Sequence, residues 1–417
     1  MKKLVAILLL IALVLTSLSG IAEEPETIKI GIMAALSSEE GVRQFNALLG
    51  IWLDAINTSS LGLNLPFHDV EGLPGLNGAK IEFVYGDASG TADEVMAEVE
   101  RLITDEHVVA VTGQFGSAST KTSMVPAEKY GVPILSEGTS VTLLEQGYEY
   151  FFRTFPGDDT FVEQSFEFLK AMNETKNAGI KTVAIVSEDS EFGTSIHKLE
   201  LAYAEKYGFE VVENIQYSAT SANVTSEVLR LKQADPDVIL MSSYINDLTL
   251  FVNTYKEQGY FPRMLLGQRG GFQSTDFTSS LGESANYALT TSRWASDYDK
   301  DISHALCEEF TARCDRVLTG DMLAITWNAM VICEAINEAG STDGDAIVAQ
   351  LRKGIAFNAD QDPTGLPGYQ YAENGQNQMT AAVVVQVSPD DHTYHTVYPF
   401  NAASLDVIYP APGWTDR

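Results

Sequence analysis

Positive charge is scarce in this sequence. Of its 417 residues, 26 are Lys or Arg and 57 are Asp or Glu, which gives a formal net charge of −31 at pH 7. So acidic a chain repels phosphate groups, and this argues against nucleic acid and anionic lipid as partners. The charge favours solubility and says little about the fold.

Cysteine is scarce as well, with three residues in the whole chain. Cys307 and Cys314 are seven positions apart in a helical pattern, which separates them by about 10 Å along one helix, too far for a disulfide. A bond from Cys333 to either of them needs two neighbouring helices, and buried free thiols are the equal alternative. Neither the cysteines nor the six scattered His residues have metal-ligand spacing, so no metal site is expected.

Long apolar runs are limited to the N-terminus. Residues 4–15 are apolar, follow two lysines, and precede small residues that end at Ala22. The run is shorter than the roughly 20 residues of a membrane-spanning helix, so we interpret residues 1–22 as a cleaved signal peptide rather than an anchor. No Cys lies near the cleavage site for a lipid anchor. We therefore expect an exported protein, periplasmic or extracytoplasmic, that is soluble after cleavage.

Motifs for catalysis or nucleotide binding are missing. The stretch GQFGSASTKTS, residues 113–123, follows a β-branched run in the manner of a phosphate loop. However, Ala118 replaces the second glycine and Lys121 lies too far along the chain. Ser117 and the hydroxyl residues after it suit a small carboxylate, and simple capping of a surface helix is the alternative. Because no nucleophile, base and orienting residue occur together, we expect no catalytic residue, no cofactor and no enzyme.

Short β-branched runs alternate with amphipathic helical patterns over residues 27–138, among them a strand at 107–113 and a helix at 122–131. The alternation restarts at residue 182 and includes a strand at 210–217. This order predicts parallel sheets with helices on both faces. The chain without its first 22 residues is too long for one ordinary core, which favours two α/β lobes. In open α/β sheets ligands bind at the carboxyl ends of the strands, so a cleft between the lobes is the expected site. Later segments predict helices over 301–314, 321–340 and 344–354 and a hairpin over 379–400.

Several segments, in this order and spacing, match a known family. They are IKIGIMAALSS, GLNGAKIEFVYGD, VVAVTGQFGSAST, YGVPILSEGTS, GYEYFFRTFPGDD, VAIVSEDSEFG, DVILMSSY and LLGQRGGF. The chain thus resembles the leucine/isoleucine/valine-binding protein family, the type I periplasmic solute-binding proteins of ABC importers. The resemblance implies an α/β fold of two doubly wound parallel-sheet lobes, joined by a three-crossover hinge, that close on a solute.

The resemblance also implies how the chain is divided between the lobes. The first lobe receives a late return segment, and a final segment returns to the second lobe. The predicted parts are a signal peptide at 1–22, the first lobe at 23–155, the second lobe at 156–292, the return to the first lobe at 293–370, and the return strand, hairpin and tail of the second lobe at 371–417.

In the first lobe the family pattern implies a ligand site at two loops. Ser117 matches a serine that contacts the ligand carboxylate, and Gly138 and Thr139 match a backbone group and a threonine after the next strand. A one-residue gap before this pair leaves Glu137 and Ser140 as alternatives.

In the second lobe the pattern implies two aromatic contacts, Phe192 and Tyr244. Amino-acid-binding members of the family carry an acid that pairs with the ligand ammonium. Arg269 stands at that position, or Gln268 if the loop shifts by one residue. Arg269 would attract a second anionic group if it points inward; the alternatives are solvent or a lobe-closing carboxylate.

We therefore expect a binding protein that delivers a small solute, an amino acid or related carboxylate or amide, to the membrane permease of an ABC importer. Binding would close the hinge without covalent chemistry. We expect a monomer with no nucleic-acid partner. The alternative function is a sensor of the same fold that reports the solute level to a membrane receptor.

Overall fold

The computed structural model describes residues 27–35 and 39–416. The predicted signal peptide, residues 1–22, lies outside the described residues. Within the described part of the chain, no helix is both long enough and apolar enough to cross a bilayer.

The first sheet is parallel and has five strands in the order β2-β1-β3-β4-β5. The two long strands at one side pair over their whole length, whereas the other three are short. The strands are β1 (Thr27–Ala34), β2 (Lys80–Asp87), β3 (Val111–Thr112), β4 (Ile134–Leu135) and β5 (Phe151–Phe152).

The second sheet has seven strands in the order β12-β11-β10-β9-β8-β6-β7. Five are parallel, and β11 and β12 form an antiparallel hairpin that pairs with β10. The strands are β6 (Thr182–Glu188), β7 (Glu210–Tyr217), β8 (Val238–Ser242), β9 (Leu265–Gly267), β10 (Leu289–Ser292), β11 (Val383–Val387) and β12 (Tyr394–Tyr398).

Eleven α-helices occur in the described residues, most of them between successive strands. They are α1 (Glu39–Asn57), α2 (Ala92–Thr104), α3 (Ser117–Tyr130), α4 (Asp158–Lys176), α5 (Glu191–Tyr207), α6 (Thr225–Ala234), α7 (Ile245–Glu257), α8 (Asp276–Leu281), α9 (Asp301–Cys314), α10 (Gly320–Ala339) and α11 (Gly344–Lys353).

The core shows that the late helices belong with the early strands. Side chains of α9, α10 and α11 form one buried cluster with β1, β2 and α1. Within it the rings of Trp52 and Trp327 meet edge to face at 5.2 Å between centroids. We call the five-stranded sheet and the elements in its core the first lobe, and the seven-stranded sheet with its helices the second lobe.

The chain passes between the lobes three times, after β5, after β10 and before β11. The first and third passages run together, because Arg153 and Gln376 form a parallel β-bridge. The expected α/β fold with two parallel-sheet lobes is thus confirmed. The exact residue boundaries assigned to each lobe remain predictions.

The structure differs locally from the sequence-based expectations at two short strands of the first sheet, at the start of α3 and at the cysteines. The strand predicted over 107–113 pairs only at Val111–Thr112, and Phe151–Phe152 adds an unpredicted strand. Helix α3 begins at Ser117 rather than at 122, because Gly116 takes the N-cap position with a φ of 94°. The three cysteines are free thiols, so the disulfide alternative is wrong.

Candidate functional site

A cavity of about 270 Å³ lies between the two lobes at the carboxyl ends of their strands. Phe45, Phe115 and Met322 line it from the first lobe. Tyr244 and Ile245 line it from the second lobe, directly after β8. The volume is slightly below the roughly 300–1,000 Å³ of pockets for drug-sized ligands, which fits a small metabolite.

Of the six residues that the sequence pattern singled out, Tyr244 lines this cavity. Its ring stacks at a tilt against Phe192, with centroids 5.4 Å apart, and meets Phe115 edge to face at 6.1 Å. Its hydroxyl lies close to Gly116 in the opposite lobe, 3.1 Å from where a Cβ would sit. The missing side chain of Gly116 therefore lets the two lobes approach each other here.

Ser117 is buried behind the cavity and does not cap its own helix. Its Oγ accepts hydrogen bonds from the backbone N–H groups of Thr139, at 3.1 Å, and Ser140, at 3.0 Å. The N-cap of α3 is Gly116, without a side-chain bond, so the capping alternative is wrong. Gly138 packs against the same helix, where a Cβ would lie 2.5 Å from Thr120 Oγ1. The two loops named by the sequence pattern are thus joined to each other.

Arg269 points into the protein, with a side chain that is 3% exposed. Its guanidinium donates hydrogen bonds to Thr139 Oγ1 at 2.8 Å, across the lobes, and to Asp158 Oδ1 at 3.1 Å. The guanidinium carbon lies 4.1 Å from the ring centroid of Phe161 and 5.5 Å from that of Phe192. Of the alternatives for Arg269, the structure shows an internal carboxylate and not solvent.

The backbone at Arg269 is strained, since a φ of 56° with a ψ of −127° is unusual for any residue other than glycine. Gln268, the alternative position, faces the other way. Its side chain bonds Ser165 and Glu200 inside the second lobe, each at 3.0 Å. The structure therefore assigns the interlobe position to Arg269.

A second buried arginine joins the lobes beside the first. Arg293 follows β10 and forms an ion pair with Asp321 at the start of α10. Its Nε lies 3.4 Å from Glu137 Oε2, and its Nη2 donates to the Glu137 carbonyl at 3.1 Å. Asn328 donates to the other Glu137 oxygen at 2.9 Å. Burial nevertheless raises the pKa of Glu137 to about 7.

A third buried arginine fixes the hinge. Arg153 lies on the first passage between the lobes and donates to the carbonyls of Thr139, at 2.8 Å, and Ser140, at 3.0 Å. Burial lowers its pKa, and Asp158 acts in the opposite direction. We call these three arginines and their carboxylates the arginine cluster: Arg153, Arg269, Arg293, Glu137, Asp158 and Asp321.

Most of the arginine cluster was missed in the sequence. Asp158, Arg293 and Asp321 were not named, although each is a charged residue next to a predicted strand, hinge or apolar helix. Charge inside such apolar segments is a usable signal, because buried charges require partners. The sequence pattern does not show which residue pairs with each buried charge, because the partners lie in distant parts of the chain.

Contacts outside the cluster also hold the lobes together. Glu191, at the start of α5, pairs with Lys121 at 3.2 Å and accepts hydrogen bonds from Ser140, at 3.1 Å, and Thr142. The hydrogen bond from Thr142, followed by the effect of Lys121, lowers the pKa of Glu191 despite partial burial. Thr275 donates to Gln44 on the other side of the cavity. The lobes are therefore in direct contact on both sides of the cavity.

The site contains no metal centre in the part of the chain that the structure covers, because no three His, Cys, Asp or Glu side chains are grouped to hold an ion. The geometry instead offers a mostly apolar space between the lobes with a few polar groups, which is typical of a small-molecule binding site.

Curated relatives of this chain are named as binding proteins. The relative called Leu/Ile/Val-binding protein homolog 7 from Brucella suis biovar 1 is 28% identical over 410 residues, which cover 94% of this chain and 96% of the relative. Leu/Ile/Val-binding protein homolog 8 from Brucella abortus is 27% identical over 359 residues, covering 83% and 87% of the two chains.

Solved structures share the fold at lower identity. One is the substrate-binding protein LivJ of a branched-chain amino acid transporter from Streptococcus pneumoniae, in complex with isoleucine. Its TM-score is 0.73 at 20% identity, and the match covers 90% of this chain and 100% of that chain. A solute-binding protein of an ABC transporter from Rhodopseudomonas palustris BisB5, in complex with 3,4-dihydroxybenzoic acid, has a TM-score of 0.73 at 15% identity, over 94% of this chain and 99% of that chain.

The family profile described as periplasmic binding protein matches residues 27–392. The match spans the first sheet, the second sheet except for β12, the hinge passages and the cavity between the lobes. Its members are solute-binding proteins and not enzymes, in agreement with the absence of a catalytic motif in the sequence. By this match, the chain belongs to the periplasmic binding protein family.

Proposed function

We propose that this protein is the solute receptor of an ABC importer. It binds a small organic solute, an amino acid or a related carboxylate or amide, between its lobes and presents the closed form to a membrane permease. The observation that carries the proposal is the cavity of about 270 Å³, whose walls come from both lobes. A solute held there touches both halves and favours the state in which they meet.

The contacts between the lobes supply the other half of this argument. Tyr244 beside Gly116, Arg269 on Thr139, and Glu191 on Ser140 all join residues from different lobes. Each of these contacts breaks if the lobes separate about the hinge. A bound solute adds its own contacts to this set, and only that difference shifts the equilibrium towards closure.

The relatives support the nature of the solute. Two carry Leu/Ile/Val-binding names, and the two solved structures hold isoleucine and a dihydroxybenzoic acid. All of these are small organic molecules with an apolar body, as the aromatic and aliphatic cavity wall requires. Export by the N-terminal segment and a monomeric state belong to the same proposal.

Among the six residues predicted from the sequence, Tyr244 is the one we propose to contact the solute through the cavity wall. Ser117, Gly138, Thr139, Phe192 and Arg269 are buried next to the cavity, and direct contact by any of them stays a prediction.

A thermal-shift screen tests the proposal. Amino acids, amides, amines and aromatic acids are added in millimolar excess, and at least one is expected to raise the melting temperature by mass action. Tyr244→Ala should remove most of that shift. Tyr130→Ala is the matched control, because Tyr130 lies at the opposite end of α3 from Gly116 and is exposed. A screen in which no compound stabilises the protein contradicts the proposal.

A further inference from the structure

We infer that the solute site has a second compartment, a groove on the other side of the Phe115–Tyr244 ring pair from the cavity, and that this groove takes an uncharged extension of the solute. We call this space the outer groove. The inference rests on the proposed solute-binding function and narrows the class of solute. The body of the solute, an amino acid, carboxylate or amide, lies in the cavity, and a slender alkyl or ether chain continues from it into the outer groove.

The outer groove is a space of about 280 Å³ whose walls, like those of the cavity, come from both lobes. Ala92 at the start of α2 and Ala118 in the first turn of α3 lie on the first-lobe side. Ser190 and Tyr244 line it from the second lobe. A chain bound here therefore touches both lobes, so it adds to the preference of the solute for the closed form.

Two aromatic rings stand between the outer groove and the cavity. Phe115 and Tyr244 line both spaces and meet edge to face, with 6.1 Å between their ring centroids. Gly116 lines the outer groove beside them and contributes no side chain. The partition between the two spaces therefore consists of one side chain from each lobe, and it forms where the lobes meet.

Phe115 is the side of this partition that can move aside. The residue is 43% exposed, and among the described residues its ring meets the ring of Tyr244 alone. Tyr244, by contrast, is also packed against Phe192, with 5.4 Å between the centroids. Because few contacts hold the Phe115 ring, its rotation would join the two spaces at little cost. An exposed phenyl ring also gains from contact with an apolar chain.

The lining of the outer groove suits a slender, uncharged group. Alanine and glycine predominate, and no Lys, Arg, His, Asp or Glu is among the described residues that line it. Ser119 and Thr122 each donate a hydrogen bond to a backbone carbonyl one turn earlier, and Ser190 donates to the Glu188 carboxylate at 2.7 Å. The groove thus gives a charged group no counter-ion, whereas an alkyl or ether chain requires none.

Two series of probes with one ring body and a growing chain test the second compartment. They are the methyl, propyl and pentyl ethers of 4-hydroxybenzoate and of tyrosine, which carry a carboxylate and an amino acid head group. Each methylene that leaves water for an apolar space tightens binding about threefold. In calorimetric titration of the purified protein, affinity should rise by at least about tenfold from methyl to pentyl in at least one series.

The rise in affinity must be tied to the outer groove, because apolar contact elsewhere would also increase with chain length. Ala118→Leu adds bulk inside the groove at an exposed position of α3, where leucine is a good helix former. It should weaken binding of the pentyl ethers at least about tenfold and of the methyl ethers about twofold or less. Ala202→Leu on the exposed face of α5 makes the same change away from the groove and is the matched control.

A crystal structure of the wild-type protein with the tightest-binding pentyl ether is the second readout, and the chain is expected between Ala118 and Tyr244. Affinity that stays level or falls from methyl to pentyl in both series, equal effects of Ala118→Leu on short and long ethers, or a chain found outside the groove would overturn the inference. Failure of both series while another solute binds would overturn it as well, and all these results leave the proposed function intact. Failure of every compound in the wider screen would overturn the function itself.

Discussion

Two adjacent parts of the interlobe region are built from similar loops but in opposite ways. The arginine cluster is filled by the protein's own charges, and its guanidinium groups are bonded to carboxylates, carbonyls and Thr139. The cavity beside it is mostly apolar and holds open space between Phe115, Tyr244 and Met322. The first part is held together by internal ion pairs, whereas the second leaves space between the lobes for a ligand.

This difference shows that loops at the carboxyl ends of the strands can both stabilise the fold and form a binding site. Buried charges are stable only when each has its partners, so the arginine cluster fixes how the loops of both lobes meet. The apolar cavity has no such internal requirement and is free to take a solute. Asp321 belongs to both, because one oxygen serves the cluster and the other faces no internal donor.

The largest expected effect comes from breaking the cluster at Asp158. Asp158→Asn leaves the Arg269 guanidinium buried without its carboxylate and should lower the free energy of unfolding by about 3–5 kcal/mol. Chemical denaturation measures this change. Asp159→Asn is the control, because Asp159 is the exposed neighbour in the same helical turn. Equal effects of the two substitutions would mean that the cluster is no more critical than the surface.

A substitution of Ser117 tests whether this side chain stabilises the loop at Thr139 and Ser140 or contacts the solute directly. Ser117→Ala leaves the N–H groups of Thr139 and Ser140 without an acceptor, and should lower the free energy of unfolding by about 1–3 kcal/mol. The measurement is denaturation together with solute titration. Loss of solute affinity at unchanged stability would instead place the solute directly on Ser117.

Glu191 tests closure without touching the cavity wall. Glu191→Ala removes the acceptor for Ser140 and Thr142 across the lobes, and should weaken solute binding about tenfold by favouring the open form. Small-angle scattering of the ligand-free variant should show a larger radius of gyration than the wild type. Glu205→Ala on the same helix is the control, and a wild-type radius in Glu191→Ala would contradict the role in closure.

The last expected effect is a pH dependence at Glu200, which is buried and bonded to Gln268 at 3.0 Å. Burial raises the pKa of Glu200 from 4.5 to about 8. Between these values the folded protein holds a proton that the unfolded chain releases, so stability falls as pH rises through this range. Glu200→Gln removes the ionisable group, so the stability of the variant does not depend on this titration. From acidic to alkaline pH, the melting temperature of the variant relative to that of the wild type should therefore rise by roughly 2–4 °C. A constant difference across pH would contradict the buried titration.

Regular elements with strong patterns were predicted well from the sequence. Helix α9 occupies the predicted residues 301–314, and β7 the predicted 210–217. The pattern fails at the short strands β3, β4 and β5, where pairing is limited to two residues each. At these strands the position of the following loop in the fold determines where the hydrogen-bonded pairing ends. The strand propensity of the local sequence does not contain this information.

The candidate site shows the same limit. Tyr244 was predicted at the cleft and lines it, whereas Asp321 was not singled out, although it lies in the wall of the same cavity. Asp321 reaches the wall because α10 returns to the first lobe after the chain has formed β6 to β10 of the second lobe. A pairing between residues more than a hundred positions apart, such as Arg269 with Thr139, leaves no local trace in one sequence.

The sequence by itself determined the fold class, the two-lobed plan and the acidic character of the protein, because hydrophobic period and composition are local properties of the chain. Only the tertiary structure decided which polar groups satisfy one another and which remain for a solute. That decision depends on burial and on distances between loops of different lobes, since a buried charge is stable only where the fold brings it a partner.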